Sequence, residues 1–244
     1  AFFTKQTNTK LLAISLGFSA GVMIYVSLVE IFPKAQSDLG LVFSEKAAAW
    51  YTVASFFAGI LFIALIDKLI PSYENPHEVR SIEDIDEKKK NGKLMRMGVF
   101  SAIAIAIHNF PEGMATFMAG LSDPYIALPI AIAIAIHNIP EGIAVSVPIY
   151  YATGNRRKAF MLSFLSGLAE PVGALIGFLA IYFFFDSFSP AISGVMFGAV
   201  AGIMVFISLD ELLPTAEEHG EHHLSIYGLV AGMAVMALSL LLFL

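Results

Sequence analysis

The stretch LLAISLGFSAGVMIYVSLVEIF, residues 11–32, contains only one charged side chain, Glu30. A helix of roughly 20 apolar residues is long enough to cross the hydrocarbon core of a bilayer, about 30 Å thick. Six similar runs follow, at residues 47–66, 97–120, 125–151, 159–185, 190–213 and 224–244. The runs are too long for barrel strands and do not alternate in polarity. We therefore predict an all-α polytopic membrane bundle, with seven transmembrane helices in one domain, residues 1–244.

The basic residues are distributed unequally between the two sides of this bundle. If successive loops alternate sides, all but two of the 14 Lys and Arg residues lie on the side of the N terminus, the exceptions being Lys34 and Lys46. By the positive-inside rule the N-terminal side is cytoplasmic, and the C terminus lies outside. The long segment 71–96 is rich in both charge signs, and we expect it to be a disordered cytoplasmic loop.

Composition also restricts the metal chemistry. The chain is 57% hydrophobic and contains no cysteine, which excludes disulfides, thiolate-bound zinc and iron–sulfur clusters. Any metal ion must therefore be bound through nitrogen, oxygen or thioether ligands.

One internal repeat relates two distant helices. AGVMIYVSLVEIFP at residues 20–33 aligns without a gap to AGIMVFISLDELLP at 201–214, and seven of the fourteen positions are identical. Because the first copy ends outside and the second ends inside, the repeat is predicted to be inverted, as in many secondary transporters. The helix at 159–185 then has no partner, so we expect an eighth helix before residue 1.

A second repeat contains the chemically important residues. AIAIAIHNFPEGMA at 102–115 and AIAIAIHNIPEGIA at 131–144 agree at twelve of fourteen positions. We call residues 108–113, HNFPEG, the first motif, and residues 137–142, HNIPEG, the second motif. In a helix the glutamate of each motif lies about 40° around the axis from the histidine and about 60° from the asparagine.

This geometry lets each glutamate serve two cations. One carboxylate oxygen can face a cation shared with the histidine, and the other a cation shared with the asparagine. Two adjacent metal ions bridged by two carboxylates are therefore predicted. The residues involved are His108, Asn109 and Glu112 of the first motif and His137, Asn138 and Glu141 of the second.

Three carboxylates support the same interpretation. Glu112, Glu141 and Glu170 lie near the middle of their runs, and none of these runs contains Lys or Arg. A carboxylate in hydrocarbon must be protonated or compensated by a cation, because an isolated charge is costly there. Bound divalent ions would provide that compensation. Met23 is a weaker candidate for a thioether ligand, since buried methionine more often fills the core.

The motifs HNFPEG and HNIPEG, with LAEP at 168–171, resemble the ZIP (Zrt/Irt-like protein) family over essentially the whole chain. The resemblance implies eight helices, an elevator-like motion, import of divalent metals into the cytoplasm, a homodimer and, in bacteria, the inner membrane. It maps a first metal position onto His108, Glu112, His137 and Glu141, with Met23 as an addition. It maps a second position onto Asn109, Glu112, Asn138, Glu141 and Glu170.

Our leading hypothesis is a carrier, without catalytic residues, that moves Zn2+. Mixed nitrogen and oxygen ligands would also accept Fe2+, Mn2+, Co2+ or Cd2+. The expected partners are these ions, the lipid bilayer and a second copy of the chain, and neither a catalytic cofactor nor nucleic acid is predicted. An intramembrane zinc hydrolase lacks support because no His-Glu-x-x-His pattern is present. A cytochrome ligated by His108 and His137 would not need the neighbouring Glu and Asn.

Overall fold

The computed structural model describes residues 9–69, 153–184, 189–219 and 222–242 continuously. Between 99 and 150 it describes residues 99, 102–103, 105–107, 109–114, 116–117, 120–121, 128, 131–132, 135, 138–139, 141–143, 145–146 and 149–150, all of them helical. No described residue lies in a strand. The continuous α-helices are α1 (Thr9–Val26), α2 (Phe32–Gly40), α3 (Glu45–Leu69), α4 (Arg156–Gly167), α5 (Ala169–Phe184), α6 (Pro190–Ile207), α7 (Leu213–His219) and α8 (His222–Leu242).

Within the described part of the chain, five helical segments are long and apolar enough to cross a membrane. They are Ala13–Gly40, Glu45–Lys68, Arg156–Leu179, Pro190–Glu217 and His222–Leu241. The predicted class of helical membrane protein is thus confirmed. The predicted helices at 97–120 and 125–151 fall where the description is discontinuous. The loop at 71–96 and the eighth helix lie outside the described residues, and both stay predictions.

Two π-helical turns occur at aligned positions of the first repeat. Ser27–Ile31 joins α1 to α2, and Ser208–Leu212 joins α6 to α7. Both turns follow an α-helix of 18 residues. The two segments thus share one order of elements: a long helix, a widened turn and a short helix.

A proline explains the position of each turn. The amide of Phe32 donates to the carbonyl of Ser27, five residues earlier. The next residue, Pro33, has no amide, and its ring crowds the carbonyl four residues before it. Widening the preceding turn removes that conflict, and the second turn has the same arrangement before Pro214. Such turns are often found at functional sites.

These two segments pack against each other in opposite directions. Near the start of α6, Ser193 donates a short hydrogen bond to Asp38, near the end of α2. A Cβ atom at Gly194 would lie 2.5 Å from Cγ of Leu39. Helix α7, at the far end of the second segment, contacts α1. The start of each segment therefore lies beside the end of the other.

Helices α1 and α8 run parallel with their backbones in close contact. A Cβ atom at Gly17 would lie 2.2 Å from the carbonyl oxygen of Ser225, and one at Gly21 would lie 2.0 Å from that of Leu229. Small residues permit this approach. In lipid, close packing replaces the hydrophobic effect as the main attraction between helices.

Helices α3 and α6 form a second parallel pair with the same geometry. A Cβ atom at Gly202 would lie 1.9 Å from the carbonyl oxygen of Phe56, and one at Gly59 would lie 2.0 Å from that of Ala199. Gly202 aligns with Gly21 in the first repeat. Contact between α1, α6 and the π-helical turns encloses an apolar core that includes Met23 and Met204.

The helix predicted at 159–185 contains one irregular turn at Leu168, which separates α4 from α5 and keeps α-helical backbone angles. Pro171 has no amide to donate to the carbonyl of Gly167, one turn earlier, so regular α-helical bonding cannot continue across this point. The amides of Leu168 and Val172 still donate to the carbonyls four residues before them. The irregular turn lies directly beside Glu170.

Large apolar side chains remain exposed on the outer faces of α3 and α5. Leu61, Phe62, Tyr182 and Phe183 each expose more than half of their surface. Exposure on this scale would be unfavourable in water, but it suits a surface that faces lipid. The outer surface therefore agrees with the membrane assignment.

Candidate metal site

The motif residues that the structure describes are deeply buried. The exposed fraction is 0% for Glu112, 1% for Glu141 and 2% for Asn109, whereas Asn138 and Glu170 are partly buried. A charged or amide group in such a position needs a partner to offset its lost hydration. His108 and His137 lie outside the described residues, so their predicted roles stay predictions.

Asn138 and Glu170 are joined directly. The Nδ2 group of Asn138 donates to Oε2 of Glu170 over 3.0 Å. This contact connects the second motif to α5, 32 positions later in the chain. Two residues that the family resemblance assigns to one metal position therefore lie within hydrogen-bonding distance.

Asn109 is held in a similar way by α4. Its Nδ2 group donates to the backbone carbonyl of Ser166 over 3.3 Å. Because each asparagine donates through nitrogen, its oxygen is directed elsewhere. The Oδ1 atoms of Asn109 and Asn138 are buried and accept no hydrogen bond from any described residue. Buried amide oxygens of this kind are suitable ligands for a cation.

Glycines bring the motif helices close to α4 and α5. A Cβ atom at Gly113 would lie only 1.8 Å from the carbonyl oxygen of Glu170, and one at Gly173 would lie 2.0 Å from that of Phe110. In the second motif, the carbonyl of Gly142 accepts a 3.0 Å hydrogen bond from the Ser163 hydroxyl. The close approach at Gly113 positions Glu170 beside the first motif.

One contact at the site was not predicted from the sequence. Ser19, in α1, donates its hydroxyl to Oε1 of Glu141 over 2.8 Å. The signal for it is weak: in the continued repeat, Ser19 is a polar residue aligned with apolar Val200. That difference alone does not indicate which residue the hydroxyl contacts.

Met23 is fully buried in the apolar core between α1 and α6. Phe117 and Ile143, which follow the first and second motifs, pack against the same cluster. Met23 therefore lies where α1 meets the motif helices. Its role as a thioether ligand stays a prediction.

Among the described residues, no group of three or more His, Cys, Asp or Glu side chains is close enough to hold a metal ion. Neither motif histidine belongs to that set. The described part of the site consists of two buried carboxylates, two asparagines and the partly buried Glu170. This donor set is rich in oxygen, and its binding of metal would be exchangeable.

Comparison with known proteins identifies the family. A sequence model described as ZIP Zinc transporter matches residues 71–240, which include both motifs and Glu170. The chain belongs to the ZIP zinc transporter family. The resemblance predicted from HNFPEG, HNIPEG and LAEP is thereby confirmed.

Individual members of the ZIP family match over the whole chain. A zinc transporter ZupT from Streptococcus mutans is 64% identical over 243 residues, covering 100% of this chain and 90% of that protein. Zinc transporter ZupT of Chlorobium chlorochromatii is 65% identical over 242 residues, 98% of this chain and 89% of the relative. The protein of the same name from Clostridium perfringens is 60% identical over 257 residues, 100% of this chain and 89% of the relative.

ZIP membership and the five apolar spans together identify a multi-pass membrane protein. The family is one of transporters and not of enzymes, which agrees with the prediction of a carrier. It favours that prediction over the zinc hydrolase and the cytochrome.

Proposed function

We propose that this protein carries zinc across a membrane by binding it between the first and second motifs. One observation carries the proposal: Glu112 and Glu141 are almost completely buried, in runs without Lys or Arg. A divalent cation would offset their charge. It would also provide a partner for the buried oxygens of Asn109 and Asn138. The relatives' name, zinc transporter, supports zinc as the cargo.

Uptake into reconstituted liposomes tests this function directly. We expect zinc to enter liposomes containing the wild-type protein, and the Glu112→Ala, Glu141→Ala double variant to transport no faster than protein-free liposomes. Glu45→Ala is the matched control, because Glu45 is an exposed glutamate at the start of α3. Normal transport by the double variant would disprove the assignment of the site.

We further propose that the site is binuclear. The ligand sets are His108, Glu112, His137 and Glu141, with Met23, for one ion, and Asn109, Glu112, Asn138, Glu141 and Glu170 for the other. The hydrogen bond between Asn138 and Glu170 supports the second set, since it brings two of its members together. Anomalous scattering at the zinc edge would count the ions. A single peak per protomer at saturating zinc would contradict the bridged pair.

Transport in this proposal requires the site to open alternately to the two sides. The antiparallel packing of α1–α2 and α6–α7 supports alternating access. An inverted repeat can give a transporter two related conformations, one with the metal site open to each side of the membrane. We propose import into the bacterial cytoplasm, as the family resemblance implies, and we take the orientation of the chain from its charge distribution. Zinc uptake restricted to inside-out vesicles would contradict the proposed direction.

We extend the proposal to other divalent metal ions and to the oligomeric state. Fe2+, Mn2+, Co2+ and Cd2+ should compete with zinc for uptake, since oxygen and imidazole ligands accept all of them. If none of them competes even in large excess, the protein is selective for zinc. The protein is expected to be a homodimer, and the mass of the purified detergent complex tests this expectation.

A further inference from the structure

Ser19 lies in the middle of α1 and has no solvent-exposed surface. Its hydroxyl donates to Oε1 of Glu141 over 2.8 Å, although the two residues are 122 positions apart. It therefore joins a helix outside the motif repeat to one of the two motif carboxylates. Neither the family match nor the names of the relatives assigns a role to this residue.

The direction of this hydroxyl is informative. A serine or threonine inside a helix often donates to the carbonyl four residues earlier. Thr52, Ser55 and Ser208 do so in this protein, in contacts of 2.9, 2.8 and 2.7 Å. Ser19 donates to the carboxylate of Glu141 instead. Its hydroxyl is therefore used between helices.

A hydrogen bond of this kind orders the carboxylate. A carboxylate has two oxygens and about four lone-pair positions, so a donor at Oε1 leaves capacity for a metal ion. Holding the group in one orientation lowers the entropy that zinc binding must otherwise remove. A donor to a charged group also contributes more than one to a neutral group. The ordering favours binding of the cation by Glu141, and the strength of the bond keeps the carboxylate in that orientation.

The contact also distinguishes the two motifs. In the continued repeat, the position of Ser19 in α1 corresponds to Val200 in α6. Val200 is buried in the apolar core and has no side-chain donor. The repeated flanking helices therefore provide a hydroxyl from α1 and a hydrocarbon side chain from α6.

We propose that Ser19 is a positioning residue that orients the carboxylate of Glu141 and thereby sets the affinity of the site for zinc. The inference rests on the proposed function only in taking Glu141 as a zinc ligand. Ser19 itself need not touch the ion. It acts through Glu141.

The test measures zinc binding and zinc transport separately. In purified protein, Ser19→Ala should raise the Kd for zinc about 3- to 10-fold. This is less than the full strength of a hydrogen bond to a charged group, because the bond is present in both the zinc-free and the zinc-bound protein. In liposomes its KM should rise by a similar factor, with kcat changed less than about twofold. Ser19→Thr keeps a hydroxyl donor and adds no thiol ligand for zinc, so its Kd should lie closer to the wild-type value than that of Ser19→Ala.

Ser55→Ala is the matched control, because it removes a buried hydroxyl that bonds only within its own helix. It should leave Kd and KM at the wild-type values. A wild-type Kd in Ser19→Ala would overturn the inference, and so would equal losses in Ser19→Ala and Ser55→Ala. If wild-type protein binds zinc but does not transport it, the proposed function fails, and the Kd comparison still decides the role of Ser19.

Discussion

The two motif asparagines use their nitrogen and oxygen atoms for different tasks. Each Nδ2 donates to a group on α4 or α5, the Ser166 carbonyl for Asn109 and the Glu170 carboxylate for Asn138. The donor bonds fix the amide planes, so the buried Oδ1 atoms have a defined direction. An asparagine here therefore supplies both a structural contact and a candidate ligand.

A double-mutant cycle tests whether Asn138 and Glu170 act as a unit. We expect Asn138→Ala and Glu170→Gln each to weaken zinc binding, and the double variant to lose less than the sum of the two losses. Residues in direct contact have coupling energies of about 0.5–3 kcal/mol. The measurement is zinc Kd by calorimetry. Pairing Asn138→Ala with Glu45→Ala, an exposed residue, should give additive effects, and additivity in the main cycle would contradict the coupling.

Gly113 allows the first motif to approach α5 closely, and this role can be tested. A methyl group there would lie 1.8 Å from the carbonyl oxygen of Glu170, so Gly113→Ala must push α5 away from the first motif. We expect a loss of about 1–3 kcal/mol in stability, typical of overpacking, together with slower zinc transport. Thermal unfolding and liposome uptake measure the two effects. Gly167→Ala is the control, because a Cβ atom there meets nothing within 4 Å.

At the scale of elements, the irregular turns in the helices occur just before prolines. Pro33 and Pro214 follow the two π-helical turns, and Pro171 follows the irregular turn between α4 and α5. In each case a missing amide leaves a carbonyl without its regular partner. The turn at Leu168 brings an irregular part of the backbone next to Glu170. Irregular backbone in the membrane is tolerated where protein or a cavity surrounds it.

Replacing Pro171 tests whether this irregular turn serves transport. Pro171→Ala restores an amide donor for the carbonyl of Gly167, so α4 and α5 should join into one regular helix. We expect the melting temperature to stay equal or rise, while zinc uptake falls because Glu170 is displaced. Pro190→Ala is the control, since Pro190 occupies the first turn of α6, where the amide has no helical partner. Unchanged uptake in Pro171→Ala would refute the role.

At the scale of the whole molecule, the unequal charge of the loops predicts the orientation of the chain in the membrane. Lys46 lies in the first turn of α3 on the predicted outer side. Arg157 lies in the first turn of α4 on the predicted cytoplasmic side, and both residues are exposed. The chain contains no cysteine, so single substitutions can be labelled without a background. A membrane-impermeant thiol reagent should label Lys46→Cys in intact cells and Arg157→Cys only after permeabilisation. The opposite pattern would reverse the proposed orientation.

Much of this architecture could be predicted from the sequence, because lipid demands long apolar helices and excludes uncompensated charge. The buried state of Glu112 and Glu141 follows from that argument. The contact between Ser19 and Glu141 does not, since it depends on how two helices rotate and approach each other. The irregular turn at Leu168 lies inside the predicted helix, since Arg156–Leu179 is one helical span, and its exact position depends on the amide that Pro171 lacks. Periodicity gives the faces of a helix and leaves its neighbours undetermined.

The two parallel helix pairs, α1 with α8 and α3 with α6, should limit which mutations the gene tolerates. Gly21 and Gly202 occupy aligned positions. A Cβ atom added at either glycine would lie at about the same distance, 2.0 or 1.9 Å, from a carbonyl oxygen of the neighbouring helix. A codon change that adds a side chain should therefore be harmful at both places and for the same reason. A saturation mutagenesis screen for growth on scarce zinc should return two tolerance profiles that superimpose when shifted by the repeat spacing, and they should diverge at Ser19 and Val200.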